Sequence, residues 1–207
     1  ENPSSRRRDG TTRCPESIFI KFFFLFTPFF LLSTFLSMTR DASLTARRKI
    51  ALKVAVAVAI ICAILFLIGN QIFYLFGITI NSFRVGTGVL LFLSAVTLVR
   101  GTERVGGGDI HGDISVVPLA IPITVGPATT GALLVLGGEL DRLWDKIIGM
   151  AALFAAIVCI GAMLYLSSAI ERIFGRLGLE ILSKISGLVL AALAAQMIMQ
   201  GINDFFA

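Results

Sequence analysis

From Pro118 to Thr130 the chain reads PLAIPITVGPATT, three prolines and a Gly-Pro step inside a stretch otherwise apolar enough to cross a bilayer. Proline lacks the backbone donor and its ring collides with the preceding turn, so a continuous lipid-crossing helix excludes such a run. Pro118 can stand at a span entrance, but Pro122 and Pro127 cannot both do so. The stretch therefore predicts a span broken near the midplane, where irregular backbone must be lined by protein or water. Such a break frees carbonyls and leaves a new helix N-terminus in low dielectric, the arrangement around which many secondary transporters build a substrate site.

The rest of the chain agrees with a membrane setting. Its hydrophobic fraction is 56% and its charged fraction 15%, outside ordinary soluble usage. Six runs are long enough to span as helices: Ile18 to Met38, Ile50 to Gly69, Ile78 to Val99, Val116 to Gly137, Ile147 to Ile170 and Ile181 to Ile202. The net charge of +5 does not point to nucleic acid, because the basic residues fall in the tail and between apolar runs with no aromatic interleaving. Residues 1–17 read as a basic tail that need not belong to the native protein. No small-residue cleavage pattern follows the first apolar run, so Ile18 to Met38 is expected to be a retained span.

Lysine and arginine in short loops set orientation. Arg40, Arg47, Arg48, Lys49, Lys53, Arg100, Arg104, Arg172, Arg176 and Lys184 collect on one side, against Arg142 and Lys146 on the other when the tail is left out. This bias predicts that both termini are periplasmic.

The two halves resemble each other. Leu75 to Ile80, followed by Gly86, lines up with Arg176 to Ile181, followed by Gly187, at a constant shift, and Thr27-Pro28 meets Gly126-Pro127 at nearly the same shift. Three spans per copy force the second copy to insert upside down. The expected organisation is a first repeat over 18–99, a Gly-rich polar linker over 100–115 and a second, inverted repeat over 116–207. The fold class expected is an all-α membrane protein of six transmembrane helices, broken in spans one and four.

The run FGITINSFRVGTGVLLFLSA from Phe76 to Ala95, followed by VVPLAIPITVGPATT from Val116 to Thr130, closely resembles the MarC family of bacterial inner-membrane proteins. The resemblance implies a six-span inner-membrane protein related to the LysE-type exporter superfamily, some relatives of which are described as neutral amino-acid transporters. In the family pattern an Asp is common where this chain has Asn81.

None of the six runs has an Asp or Glu in its interior, which argues against a divalent-metal transporter or a carboxylate-based proton antiporter. What remains is a site of backbone groups, hydroxyls and helix ends: Thr27 and Pro28 in span one, with Thr124, Gly126, Pro127, Thr129 and Thr130 in span four. Two converging helix N-termini suit a carboxylate or another anion-bearing zwitterion. The bland alternative is that the prolines only kink packed helices.

A second group of residues reads as structural or gating. Arg84 lies about two turns inside span three with Asn81 one turn earlier on the same face, placed to bond free carbonyls of a neighbouring half-helix or to snorkel. Lys184 occupies nearly the corresponding place in span six, on the opposite side of the membrane. Gln196 and Gln200, four residues apart, are expected to bond between helices. Ala55, Ala59 and Ala63, and Gly187, Ala191 and Ala195, read as packing seams.

Cys14, Cys62 and Cys159 show no metal or redox spacing, and His111 between Asp109 and Asp113 makes only a weak metal candidate. No GxSxG, HExxH or paired intramembrane Asp is present, so no enzyme activity, catalytic residue, cofactor or metal is expected. The partners expected are the lipid bilayer and a small-molecule substrate, and a homo-oligomer is compatible with the sequence. The function expected is transport or export of a small polar metabolite, a neutral amino acid first. A non-transporting membrane scaffold or envelope-stress protein is the alternative, and it should pack the two breaks dry.

Overall fold

The structure is a computed structural model and describes residues 15–40, 42–101, 125–140 and 143–206. All secondary structure among them is helical: α1 (Pro15–Leu25), α2 (Pro28–Met38), α3 (Leu44–Phe76), α4 (Ile80–Arg100), α5 (Pro127–Gly138), α6 (Leu143–Tyr165) and α7 (Ser167–Phe206). Five stretches among the described residues are long and apolar enough to cross a membrane: Glu16–Met38, Leu44–Gly69, Ile80–Arg100, Leu143–Tyr165 and Ser167–Phe206. The fourth expected span, Val116 to Gly137, is represented only by α5, a helix of 12 residues. Its first part, the linker, Pro118, Pro122, Thr124 and His111 lie outside the described residues.

The outer faces of the bundle are apolar, as lipid requires. On α3, Val56, Ile60, Ile64 and Leu67 form an exposed stripe, while Val54, Val58, Cys62 and Phe66 face inward. A continuous exposed apolar surface of this kind does not suit water. The broken first span is well enclosed, with Phe22, Phe26, Leu31, Leu32 and Phe35 at most 1% exposed. Phe22 meets Phe66 of α3 edge to face, with ring centroids 6.1 Å apart. The half-helix α5 is buried on nearly every side, as expected of a short helix held inside a bundle.

Glycine sets how closely the helices approach. A Cβ on Gly69 of α3 would lie 2.5 Å from the Leu134 carbonyl oxygen, and one on Gly137 of α5 would collide with the Phe66 carbonyl. Helices α4 and α7 run antiparallel and meet at three levels: Gly201 against Asn81, Ala194 against Gly88, and Gly187 against Ala95. These contacts recur every seven residues on each helix, the spacing of a narrow helical seam. The seam on α7 is thus Gly187, Ala194 and Gly201, and Ala195 of the expected every-fourth pattern is exposed instead.

Two further glycines turn the chain. Gly77 ends α3 at φ 62° and donates to the Phe73 and Tyr74 carbonyls, while Gly175 at φ 63° kinks α7. Both need the left-handed backbone that glycine adopts without a steric cost. The repeat shift read from the sequence pairs Gly77 with Gly178, but Gly178 stands within the helix.

Helix direction puts the starts of α1, α4 and α6 and the ends of α3, α5 and α7 at one end of the bundle, called end A. The end of α2 and starts of α3 and α7 lie at the other, end B. At end B, Arg47 donates to the Thr39 carbonyl and to Ser168 Oγ, each at 2.9 Å, and Arg48 lies 4.9 Å from the centre of the Tyr165 ring.

Gly69→Ala and Gly137→Ala are expected to lower the detergent melting temperature, each by the equivalent of roughly 1–3 kcal/mol of overpacking. Gly86→Ala has open space around it and gains helix propensity, so it should hold or raise that temperature. Equal losses for all three would show that close approach is not what these glycines provide.

Candidate functional site

The first break is tightly defined. Helix α1 ends at Leu25, Phe26 N–H donates to Phe22 O at 3.2 Å and Thr27 N–H to Phe24 O at 2.9 Å, and Pro28 opens α2. Thr27 adopts φ 44° and ψ 62° and is the only non-glycine residue with positive φ among the described residues. A β-branched residue in that region is a genuine outlier costing on the order of 1–3 kcal/mol. Its side chain makes no capping hydrogen bond. The residues around it are buried and fix the turn, so the strain is held by packing.

The start of α5 has a different backbone. Gly126 is extended at φ −72° and ψ 174°, a conformation open to any residue, and Pro127 opens α5 without a side-chain cap. In both half-helices the proline removes one donor and the fourth N–H returns to the cap carbonyl: Leu31 to Thr27 at 3.0 Å, Thr130 to Gly126 at 2.9 Å. The N–H groups of Phe29 and Phe30, and of Ala128 and Thr129, have no acceptor in the preceding helical turn. They point back along their axes with the positive end of each helix dipole. Helix α2 then runs about 15 Å to end B and α5 about as far to end A, half the apolar thickness of a bilayer in each case. Thr129 is buried, and Thr27 and Thr130 are half-buried.

Two cavities enter the bundle among the described residues, one from each end. The cavity at end A has a volume of about 490 Å³ and runs from Ile18, Lys21, Glu139, Asp145 and Asp204 past Arg84 to Leu25, Leu91, Ala132 and Leu193. The cavity at end B, about 430 Å³, runs from Arg40, Glu171, Arg176, Glu180 and Lys184 past Ser37 and Ser33 to Phe30. One reaches the residue that ends α1 and the other the first turn of α2, so they approach the Thr27-Pro28 break from opposite sides. None of Thr27, Thr129 and Thr130 lines either cavity.

Arg84, on α4, lines the end-A cavity. The helix begins at Ile80, so Arg84 lies in the second turn from end A, close enough for residues at the helix ends to reach it. It is 7% exposed. Its Nη2 is 2.7 Å from Glu139 Oε1 and its Nη1 donates to Asp204 Oδ2 at 2.6 Å. Asn81, one turn earlier, donates to the Asp204 carbonyl at 2.9 Å. The free carbonyls expected for Arg84 are therefore replaced by two carboxylates, one from the end of α5 and one from the end of α7. Arg84 Nε remains buried with no partner.

The other expected residues divide between the two cavities. Lys184 faces the end-B cavity and pairs with Glu180 at 3.1 Å. Gln196 and Gln200 line the end-A cavity; among the described residues neither side chain makes a hydrogen bond to another helix, in contrast to the interhelical bonding expected. Sequence reasoning missed Glu139, Asp145 and Asp204, because an acidic residue in a span interior is the usual signal and these sit at span ends; Lys21, inside the first expected span, was missed as a cavity residue. The available signal was Arg84 itself, since a buried guanidinium demands a counter-charge. No group of three or more His, Cys, Asp or Glu among the described residues could hold a metal ion.

The described residues define an all-helical, multi-pass integral membrane protein with its first span broken at Thr27-Pro28, a short buried helix beginning at Pro127, and a vestibule at each end. Residues 16–206 match the family model described as "MarC family integral membrane protein", and the chain belongs to that family. It is 31% identical over 194 residues to a UPF0056 membrane protein of Aquifex aeolicus, covering 90% of this chain and 91% of the relative. A UPF0056 membrane protein of Buchnera aphidicola subsp. Baizongia pistaciae is 34% identical over 201 residues, covering 90% and 93%. The UPF0056 membrane protein YhcE of Escherichia coli is 31% identical over 199 residues, with 91% of each chain covered. No solved structure matches.

Arg84→Met leaves two carboxylates that are 33% and 55% exposed and can hydrate. Glu139→Gln combined with Asp204→Asn instead leaves a buried guanidinium without a counter-charge. The double variant is expected to lose more stability, toward the roughly 3–5 kcal/mol of a broken buried pair. Melting temperatures in detergent decide it, and a larger loss for Arg84→Met would mean that carboxylate repulsion, not the buried cation, dominates.

Proposed function

We propose that the protein is a secondary transporter or exporter of a small polar metabolite, with a neutral amino acid as the leading substrate, and that it is not an enzyme. The observation that carries the reading is the pair of cavities approaching one helix break from opposite ends. A scaffold would have no reason to hollow both ends toward the same strained turn. Alternating access needs such paths, one open at a time to a site between them.

Correspondence between the halves supports six spans arranged as two inverted three-span repeats. Pro28 and Pro127, Gly88 and Gly187, and Ala95 and Ala194 are each 99 residues apart. The reciprocal contacts follow the same shift: Gly88 approaches the Ala194 carbonyl at 3.1 Å from its built Cβ, and Gly187 approaches that of Ala95 at 3.3 Å. The shift inferred from sequence paired Gly86 with Gly187, but Gly86 has open space around it. The register that packs is two residues shorter.

On this reading the substrate carboxylate lies between the two half-helix N-termini, held by backbone donors and by Thr27, Thr129, Thr130 and Thr124. Fixed dipoles can carry an anion there without an intramembrane cation. The end-B concentration of Arg40, Arg47, Arg48, Lys49 and Lys53 supports a cytoplasmic end B in a bacterial inner membrane, with both termini periplasmic.

Two tests follow. In intact cells, an impermeant thiol reagent should label Lys146→Cys and spare Arg47→Cys, and the opposite pattern would invert the orientation. In proteoliposomes, Gly126→Val and Thr129→Val should lower amino-acid flux about tenfold, the effect of losing roughly 1–1.5 kcal/mol of hydrogen bonding. Thr27→Gly accepts the left-handed turn, so it should stay folded while losing flux with its hydroxyl. Normal flux through all three folded variants, or equal competition by a methyl ester and its free acid, would remove this site.

A further inference from the structure

We propose that the Arg84–Glu139 ion pair is a charge-exchange latch that selects zwitterions at the mouth of the end-A cavity. The proposal deepens the transport reading and rests on it for the latch's purpose, although the binding chemistry stands separately. Arg84 belongs to α4, which is joined to α7 by the Gly88, Gly187 and Gly201 contacts. Asp204, on α7, is therefore its partner within one helix pair. Glu139 ends α5, which is fixed to α3 through Gly69 and Gly137. The 2.7 Å bond between Arg84 and Glu139 thus crosses from one helix pair to the other, over a cavity that continues inward to Leu193.

Charge accounting decides which solute can part that bond. A simple anion could take Arg84 from Glu139, but Glu139 would be left without a partner. A simple cation could take Glu139, but the buried guanidinium, whose Nε already lacks an acceptor, would keep only Asp204. A neutral polar solute would strand both groups. A zwitterion offers a carboxylate to Arg84 and an ammonium to Glu139 at once, so one ion pair is exchanged for two and the net charge of the mouth is unchanged. The guanidinium is buried and cannot be left to hydrate, whereas Glu139 is one-third exposed; a simple anion is therefore disfavoured because it sets a third negative charge beside Glu139 and Asp204, and a simple cation because it leaves Arg84 one counter-charge short. Lys21 and Asp145 on the same cavity wall repeat the two signs and give an incoming zwitterion a first place to rest.

The test uses the full chain in nanodiscs with Cys14, Cys62 and Cys159 replaced by Ala and Leu193→Cys as reporter at the inner end of the cavity. Its labelling by an impermeant maleimide is timed with L-alanine, L-alanine methyl ester or N-acetyl-L-alanine. L-Alanine should slow labelling about threefold, the protection given when ligand is at twice its Kd. The ester and the N-acetyl compound should not. In Glu139→Gln the distinction should disappear, with N-acetyl-L-alanine protecting as well as L-alanine. Asp204→Asn should lower the melting temperature yet keep the zwitterion preference. Equal protection by all three compounds, no protection by L-alanine, or an unchanged preference in Glu139→Gln would each overturn the latch. Proteoliposome flux separates the two readings: Gly126-dependent amino-acid flux without Glu139-dependent selection removes the latch alone, whereas zwitterion-selective protection without flux removes transport alone.

Discussion

The structure depends on enclosing two helix ends in the middle of an apolar bundle. A half-helix that starts at proline leaves two N–H groups without partners, and in hydrocarbon each would cost several kcal/mol. Around Pro28 and along the body of α5 the neighbouring helices close in on the half-helices, although Pro127 itself stays exposed, and glycine makes the close approach attainable. Gly69 and Gly137 bring α3 against α5, Gly131 of α5 meets Thr87 of α4, and Gly149 of α6 sits against the Phe66 ring. The aromatic run of α1 and α2 fills the rest. Packing at this density also holds Thr27 in a conformation that an isolated chain would reject.

The same enclosure explains why the charges stand where they do. The interior offers fixed backbone dipoles but no room for a hydrated side chain, so ionisable groups gather at the two vestibules. Arg84 is the deepest of them. It reaches carboxylates on α5 and α7 at their very ends, where both can still touch water. This keeps the cost of the buried guanidinium low and confines the acidic groups to the outer part of the end-A cavity. End B uses shallower pairs, Lys184 with Glu180 and Arg176 with Glu171, both within one helix and both lining the end-B cavity. The ends therefore differ in kind: one is held by a pair that crosses between helices, the other by pairs within a single helix.

Much of this was legible in the sequence because it follows from local chemistry. Pro28 and Pro127 dictated where helices must start, and apolar runs dictated which segments meet lipid. Arg84 was identifiable as a residue in need of a partner, but its partners were not, since Glu139 and Asp204 lie 55 and 120 residues away and become neighbours only through the bundle's topology. The glycine register failed for a related reason. Gly86 and Gly88 are equivalent by composition, and only the contact with Ala194 shows which one faces α7. Gln196 and Gln200 were assigned to the right helix face but to the wrong neighbour, because an amide stripe looks the same whether it meets another helix or a cavity.

The distribution of charge also constrains what a transport path could carry. A permanent cation entering from end A would meet carboxylates first and then two half-helix N-termini of the same sign as itself, an arrangement that repels it where desolvation is complete. A simple anion would find the midplane favourable but would have to pass a mouth whose Arg84 is already neutralised. On the proposed latch, a solute whose charges cancel satisfies the mouth and can then present its carboxylate to the helix ends with its ammonium trailing toward the vestibule. On the transport reading, the order of polar groups along the path selects a zwitterion twice by different physics, once through ion pairs at the rim and once through backbone dipoles at the break.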